Sequence, residues 1–157
     1  MAQALRPCVP AGRGGRRAVI RLIVVGKLKA KWARLADEDY TRRISRFARF
    51  EVVELADSDP EREGQQILQR LGQEALICCD RRGENWSSEE IAARLGAHGS
   101  LSFCIGGPEG LSDAVRSRAT ETLAIGRVTL PHELARVVLL EQVYRGYSIL
   151  GGHPYHR

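Results

Sequence analysis

From residue 19 onward, short apolar runs alternate with longer amphipathic ones. Residues 19–25 (VIRLIVV) are apolar apart from Arg21 and read as a strand. Residues 32–47 repeat apolar positions three and four apart, the period of a helix. Residues 51–55 form a second strand pattern. A helix then opens at Ser58, with Pro60 in its first turn and Glu61 completing a capping box, and runs to about Leu71. Residues 75–80 read as a strand. Ser87, with Glu90 three positions on, starts a helix ending near Ala97 and Gly99. Residues 101–105 are a strand, Ser112 opens a short helix to about Ala119, residues 123–125 are a brief strand, and residues 133–150 a long final helix.

Strand followed by helix, five times over, implies an α/β fold with a mostly parallel sheet and helices on both faces. The runs ALICC and LSFCI are apolar throughout, as strands covered on both sides require. No repeat, low-complexity tract or linker divides residues 19–157, which read as one domain. Ligands of such sheets bind beyond the carboxyl ends of the strands, so the informative loops follow Asp80, Ile105 and Ile125.

Composition sharpens this picture. A chain of 157 residues with 43% hydrophobic positions can build a core, and no apolar run reaches the roughly 18 residues a membrane span needs, so a soluble, cytoplasmic protein is expected. The formal charge of +5 is concentrated at the start: Arg6, Arg13, Arg16 and Arg17 fall in residues 1–18, which hold no acid. The remainder is nearly balanced, so a nucleic-acid reading must rest on local clusters. Residues 1–18 are expected to be a disordered basic extension without an apolar signal core. They read either as an arm touching RNA phosphates or as the product of a misplaced start codon, with Val19 as a GTG-encoded initiator. Cys8, Cys78, Cys79 and Cys104 lack zinc spacing and read as reduced thiols, and no metal site is expected.

The loop GGPEGLS, residues 106–112, is a ligand-binding loop or a structural tight turn; its paired glycines permit close approach of a ligand or positive φ. Residues 80–87 are polar around Trp86, which either staples the following helix or touches a ligand. Residues 126–133 lead into the last helix, with Pro131 suited to its first turn, His132 beside it and Arg136 one turn on. On that helix Leu139, Leu140, Val143 and Ile149 form an apolar stripe, and Tyr144, Arg145 and Tyr147 a polar, aromatic side. Tyr155, His156 and Arg157 close the chain as a frayed tail or an RNA contact.

Together these pieces resemble one family. IGGPEGLS (residues 105–112), TLPHELARVVLLEQVYRGYSI (129–149), the ending HPYHR (153–157), CDRRGENWSSEEIA (79–92) and VGKLK (25–29) are similar to the 23S rRNA pseudouridine N3-methyltransferase family called RlmH, over about residues 19–157. The resemblance implies a SPOUT fold with a C-terminal trefoil knot, a homodimer and S-adenosylmethionine as cofactor. It implies cofactor contacts from Cys79, Gly106, Gly107, Ile125, Gly126, Arg127, Val128, Thr129, Leu130 and Pro131. Cys79 stands where Leu is usual and Gly126 where Ser is common. The implied substrate is 23S rRNA in the assembled ribosome, at helix 69 of the large subunit.

Methyl transfer to N3 of pseudouridine needs the N3 proton removed. His156, Glu141 and Glu109 are candidate bases by residue type, and the sequence does not rank them. Arg145 could stabilise charge on the uracil carbonyls, and Tyr155 could stack on the base. The catalytic candidates are therefore Arg145, Tyr155 and His156, acting across the dimer interface or within one chain. RNA contacts are expected from Lys27, Lys29, Arg42, Arg43, His132, Arg136 and Arg157, with Lys31, Arg34 and Arg46 in the same basic stretch; the competing reading is a solvated helix face. A nucleotide-dependent oxidoreductase is disfavoured because one glycine, not a fingerprint, follows the first strand. A non-catalytic ribosome-binding factor on the same fold is the remaining alternative.

Overall fold

The computed structural model describes residues 17–157. Expectations for residues 1–16, Cys8 included, lie outside these. Arg17 and Ala18 already belong to the folded unit: the Arg17 guanidinium donates to the Ser45 carbonyl at 2.7 Å, and the Arg49 amide to the Ala18 carbonyl at 2.8 Å.

Five strands, β1 (Val19–Val25), β2 (Arg49–Leu55), β3 (Ala75–Asn85), β4 (Ser100–Ile105) and β5 (Glu121–Ala124), form one sheet in the order β2-β1-β4-β3-β5. Every pairing between them is parallel. Five helices, α1 (Lys31–Ile44), α2 (Pro60–Arg70), α3 (Ser88–Ala97), α4 (Asp113–Arg118) and α5 (His132–Leu150), cover it, and a 3-10 turn (Pro154–His156) ends the chain. The two-residue period of a strand explains why the runs are continuously apolar. Ile20, Leu22 and Val24 enter the core under α1, α3 and α5, whereas Ile23 and Val25 enter a second core under α2 and α4.

Several boundaries differ from the sequence reading. The helix expected over 32–47 ends at Ile44, because Ser45–Phe47 tighten into i→i+3 turns that bring Arg49 beside Ala18. The cap of α2 is Asp59, whose carboxylate accepts from the Arg62 amide at 3.0 Å, rather than Ser58; the Ser58 amide donates to Glu63 at 2.8 Å. The capping box at Ser87 and Glu90 is present as expected. The third strand does not stop at Asp80: it bulges between Cys79 and Glu84 and rejoins β5 at Glu84–Asn85. Tyr144 and Tyr147, expected on a polar side of α5, are core residues, and the Tyr147 ring stacks on Phe47 with centroids 5.7 Å apart. The terminal residues are not frayed: the last turn packs back on α5, with the Tyr155 ring edge-on to Tyr144.

Candidate active site

A cleft of about 420 Å³ lies at the carboxyl ends of β3, β4 and β5, walled by the loops that follow them. The loop after β4 is shaped by close packing. Gly110 adopts φ +84 and its amide bonds the Gly107 carbonyl at 2.9 Å, so the positive φ falls there and not in the Gly106–Gly107 pair. That pair is required by proximity instead. A Cβ on Gly106 would lie 3.0 Å from the Gly110 backbone, and one on Gly107 3.0 Å from the buried Glu63 carboxylate. Helix α2 thus buttresses the loop from behind, and Ser112 caps α4 from a buried position.

The opposite wall is the loop after β5. Ile125, Val128, Thr129 and Leu130 line the cleft together with Gly126, which sits at φ +78 with open space where a side chain would project. Ile105, Leu111, Leu123 and Ala135 complete the apolar part. The polar part is Asp80, Arg81, Arg82, Glu109 and Arg116. Arg116 grips Asp80 through Nε at 3.1 Å and Nη2 at 3.0 Å, and the Arg82 amide donates to Asp80 at 2.9 Å. Burial alone would raise the Asp80 carboxyl, but these bonds outweigh it and hold the group below its ordinary value. Its charge fixes the β3 bulge to α4. Cys79 lines the cleft as a neutral thiol, since burial pushes its ionisation far up.

A family model described as "Predicted SPOUT methyltransferase" matches residues 19–156. The chain belongs to the SPOUT methyltransferase family. It is 40% identical over 143 residues to the ribosomal RNA large subunit methyltransferase H of Deinococcus radiodurans, covering 88% of this chain and 98% of that one. Against the protein of the same name from Streptococcus pneumoniae (strain CGSP14) it is 41% identical over 157 residues, covering 88% and 99%. A solved SpoU methyltransferase, AviRb of Streptomyces viridochromogenes with AdoMet, superposes remotely: TM-score 0.47, 14% identity, 92% of this chain and 62% of that one.

In this SPOUT chain, all the residues expected to touch the cofactor line the cleft except Arg127 and Pro131, which flank lining positions. Asp80 and Leu111 belong to loops the sequence marks as informative, and Arg116 and Leu123 complete the wall from outside them. An acid ending a buried strand was the one available signal for Asp80; Arg116 carried none.

The expected catalytic side chains lie elsewhere in the SPOUT chain. The Glu141 carboxylate accepts from Arg145 Nη2 at 2.6 Å and from the Tyr155 hydroxyl at 3.1 Å, and Arg145 sits 4.9 Å from the Tyr155 ring centroid. Burial raises the Tyr155 phenol, so it stays protonated and donates. His156 pairs with Glu89 at 3.1 Å. None of Arg145, Tyr155 and His156 lines the cleft.

The expected RNA contacts separate by exposure and pairing. Lys27, Lys29 and Arg157 are exposed. Arg42 and Arg43 are tied to Asp39 at the far end of α1. Arg136 must be corrected: it is 2% exposed, with Nε bonded to Asp37 at 2.7 Å and Nη1 3.6 Å from Glu54, so it locks α5 to α1 and β2 and cannot reach RNA. His132 is half-buried, with Nε2 directed at the Gly26–Asp57 region rather than the cleft. Beside it, the Glu133 carboxylate accepts from the Lys29 and Ala30 amides, capping α1, whose own N-cap residue Ala30 has no side-chain acceptor.

Proposed function

We propose that this chain is an S-adenosylmethionine-dependent methyltransferase that methylates N3 of a pseudouridine in helix 69 of 23S rRNA, acting on the assembled ribosome in the cytoplasm. The supporting observation is the cleft between the 106–112 and 125–131 loops. Its volume suits a small-molecule ligand, its walls are mixed apolar and polar, and its floor at Gly106 is backbone with no room for a side chain. Those features fit a nucleoside-bearing sulfonium. Gly106, Gly107, Cys79, Ile125, Gly126 and Leu130 would hold it, with Arg127, Val128, Thr129 and Pro131 shaping the same loop. When bound, the cofactor supplies a methyl group already activated by its positive sulfur.

The protein's own part is to exclude water, orient the base and take the N3 proton. Of the three candidate bases, Glu141 is engaged by Arg145 and Tyr155, and His156, with its Nε2 on Glu89, lies outside the cleft. Glu109 lines the cleft and has no hydrogen-bond or ion-pair partner among the described residues. This supports assigning it the proton. Arg145, Tyr155 and His156 act on the nucleotide only if a second copy brings them to this cleft. The homodimer is therefore part of the proposal, and the C-terminal trefoil knot belongs to it through the family likeness alone.

Mass mapping of 23S rRNA from a strain deleted for the gene tests the reading. Loss of one methyl on a pseudouridine, restored by the wild-type gene and not by Glu109→Gln, is expected. An unchanged methylation map overturns it. Calorimetry that finds no binding of S-adenosylmethionine to the folded protein would instead favour the non-catalytic ribosome-binding factor.

A further inference from the structure

We infer that RNA phosphates flanking the target nucleotide are held by Arg81, Arg82 and Arg127 at the mouth of the cleft, and not by the basic end of α1. This deepens the methyltransferase reading and rests on it for the identity of the RNA.

The argument begins with direction. All five strands run parallel, so their carboxyl ends share one edge of the sheet, and that edge carries the cleft. A helix joining neighbouring parallel strands runs back the other way. Helix α1 joins β1 to its neighbour β2, so it starts near the cleft edge at Lys31 and finishes at the opposite edge. At about 1.5 Å per residue, Arg42 lies roughly 16 Å further along the helix than Lys31. The Ser45 carbonyl at its end receives Arg17, just before the first residue of β1, which fixes that end at the strand starts.

Charge pairing points the same way. Arg42 and Arg43 both spend their guanidinium groups on Asp39. Arg116 spends its own on Asp80 and Asp113. Asp80 in turn uses its second oxygen on the Arg82 amide, which fixes the backbone there rather than the Arg82 side chain. Arg81, Arg82 and Arg127 are exposed and make no ion pair among the described residues. Arg81 and Arg82 line the cleft, and Arg127 stands between the lining residues Gly126 and Val128. The unpaired acid at the mouth is Glu109, whose assigned partner is the base edge. The local balance is therefore positive where a phosphate would pass. An arginine fork is suited to bidentate contact with such an oxyanion.

The test measures binding of the full chain to purified 70S ribosomes lacking the modification, over a salt series, alongside methyl transfer from labelled S-adenosylmethionine. R81E/R82E is expected to weaken ribosome binding at least about tenfold near 0.1 M salt. It should also flatten the slope of log K against log salt by about 1 to 2, the signature of lost phosphate contacts. Because Arg81 and Arg82 line the cleft, ribosome binding is measured both without S-adenosylmethionine and at a saturating concentration of it, and the loss is expected in both. R127E, at an exposed position with no side-chain partner among the described residues, gives a second arm should the double variant fold poorly, and is expected to act in the same direction. R42E/R46E should bind within about twofold of wild type. Wild-type affinity and slope in R81E/R82E and R127E would overturn the inference, as would a larger loss in R42E/R46E. A wild-type chain that binds ribosomes without methylating them would sink the enzymatic reading separately, and leave the binding arms to judge this one.

Discussion

Gly83 offers the sharpest quantitative test of how the cleft is assembled. It sits in the β3 bulge against β5, and a Cβ there would lie 2.5 Å from the Thr122 carbonyl oxygen, 2.6 Å from the Thr122 carbonyl carbon and 2.7 Å from the Leu123 carbonyl carbon. All three are backbone atoms, so no rotamer change relieves the clash. Restoring ordinary contact, which begins at 3.4 Å, requires the two backbones to part by close to 1 Å. β5 is only four residues long and is held by β3 on both sides of the bulge. Overpacking of this kind costs about 1–3 kcal/mol. One weakened ladder hydrogen bond adds about 1 kcal/mol. Gly83→Ala should therefore lose about 2–4 kcal/mol, read as a lower urea midpoint at unchanged m-value. Leu123 and Ile125 line the cleft, so calorimetric affinity for S-adenosylmethionine should fall in parallel. Gly99→Ala is the control: nothing lies within 4 Å of its Cβ position, and its stability should stay within about 0.5 kcal/mol of wild type. If Gly83→Ala proved as stable as Gly99→Ala, the close approach of β3 and β5 would be refuted.

Arg136→Met should cost about 3–5 kcal/mol by chemical denaturation, because it strands the mostly buried Asp37 carboxylate, and Arg136→Met combined with Asp37→Leu should recover much of that loss. Neither change should alter the salt slope of ribosome binding, since Arg136 faces the core. The Asp80 carboxyl is held below its ordinary value of 3.8, so its contribution to stability is full above that pH and is lost as pH falls below it. The stability gap between wild type and Asp80→Asn, measured by urea unfolding, should therefore be widest near neutrality and narrow as pH falls below 3.8; a gap independent of pH would contradict the Arg116 and Arg82 contacts. Tyr155→Phe removes the hydroxyl that donates to Glu141 and should cost about 1–2 kcal/mol, with a looser terminal turn seen as faster amide exchange at Tyr155.

Alternation of apolar and amphipathic segments was enough to order the ten main elements, because the periods of strand and helix are local properties of the chain. It also placed the cleft loops, since a parallel sheet presents its ligand edge at the strand ends. The errors came where a distant partner decides the outcome. Arg136 looks like any basic residue near a helix start until Asp37 and Glu54 are brought against it. Tyr144 and Tyr147 looked polar because each carries a hydroxyl, but stacking and packing against Phe47 and Tyr155 outweigh that. The bulge after Cys79 is invisible locally, because it depends on β5 pairing with two separate stretches of one strand.

Left to itself, then, the sequence determined the α/β order, the strands with two buried faces and the glycine loops of the cleft, all consequences of spacing along the chain. Only the tertiary structure decided which charges are free. Whether an arginine meets an acid depends on residues dozens of positions away, as Arg116 with Asp80 and Arg136 with Asp37 demonstrate. Among the described residues, that pairing leaves Arg81, Arg82 and Glu109 unengaged at the cleft and commits Arg42 and Arg43 to Asp39 at the other end of the sheet.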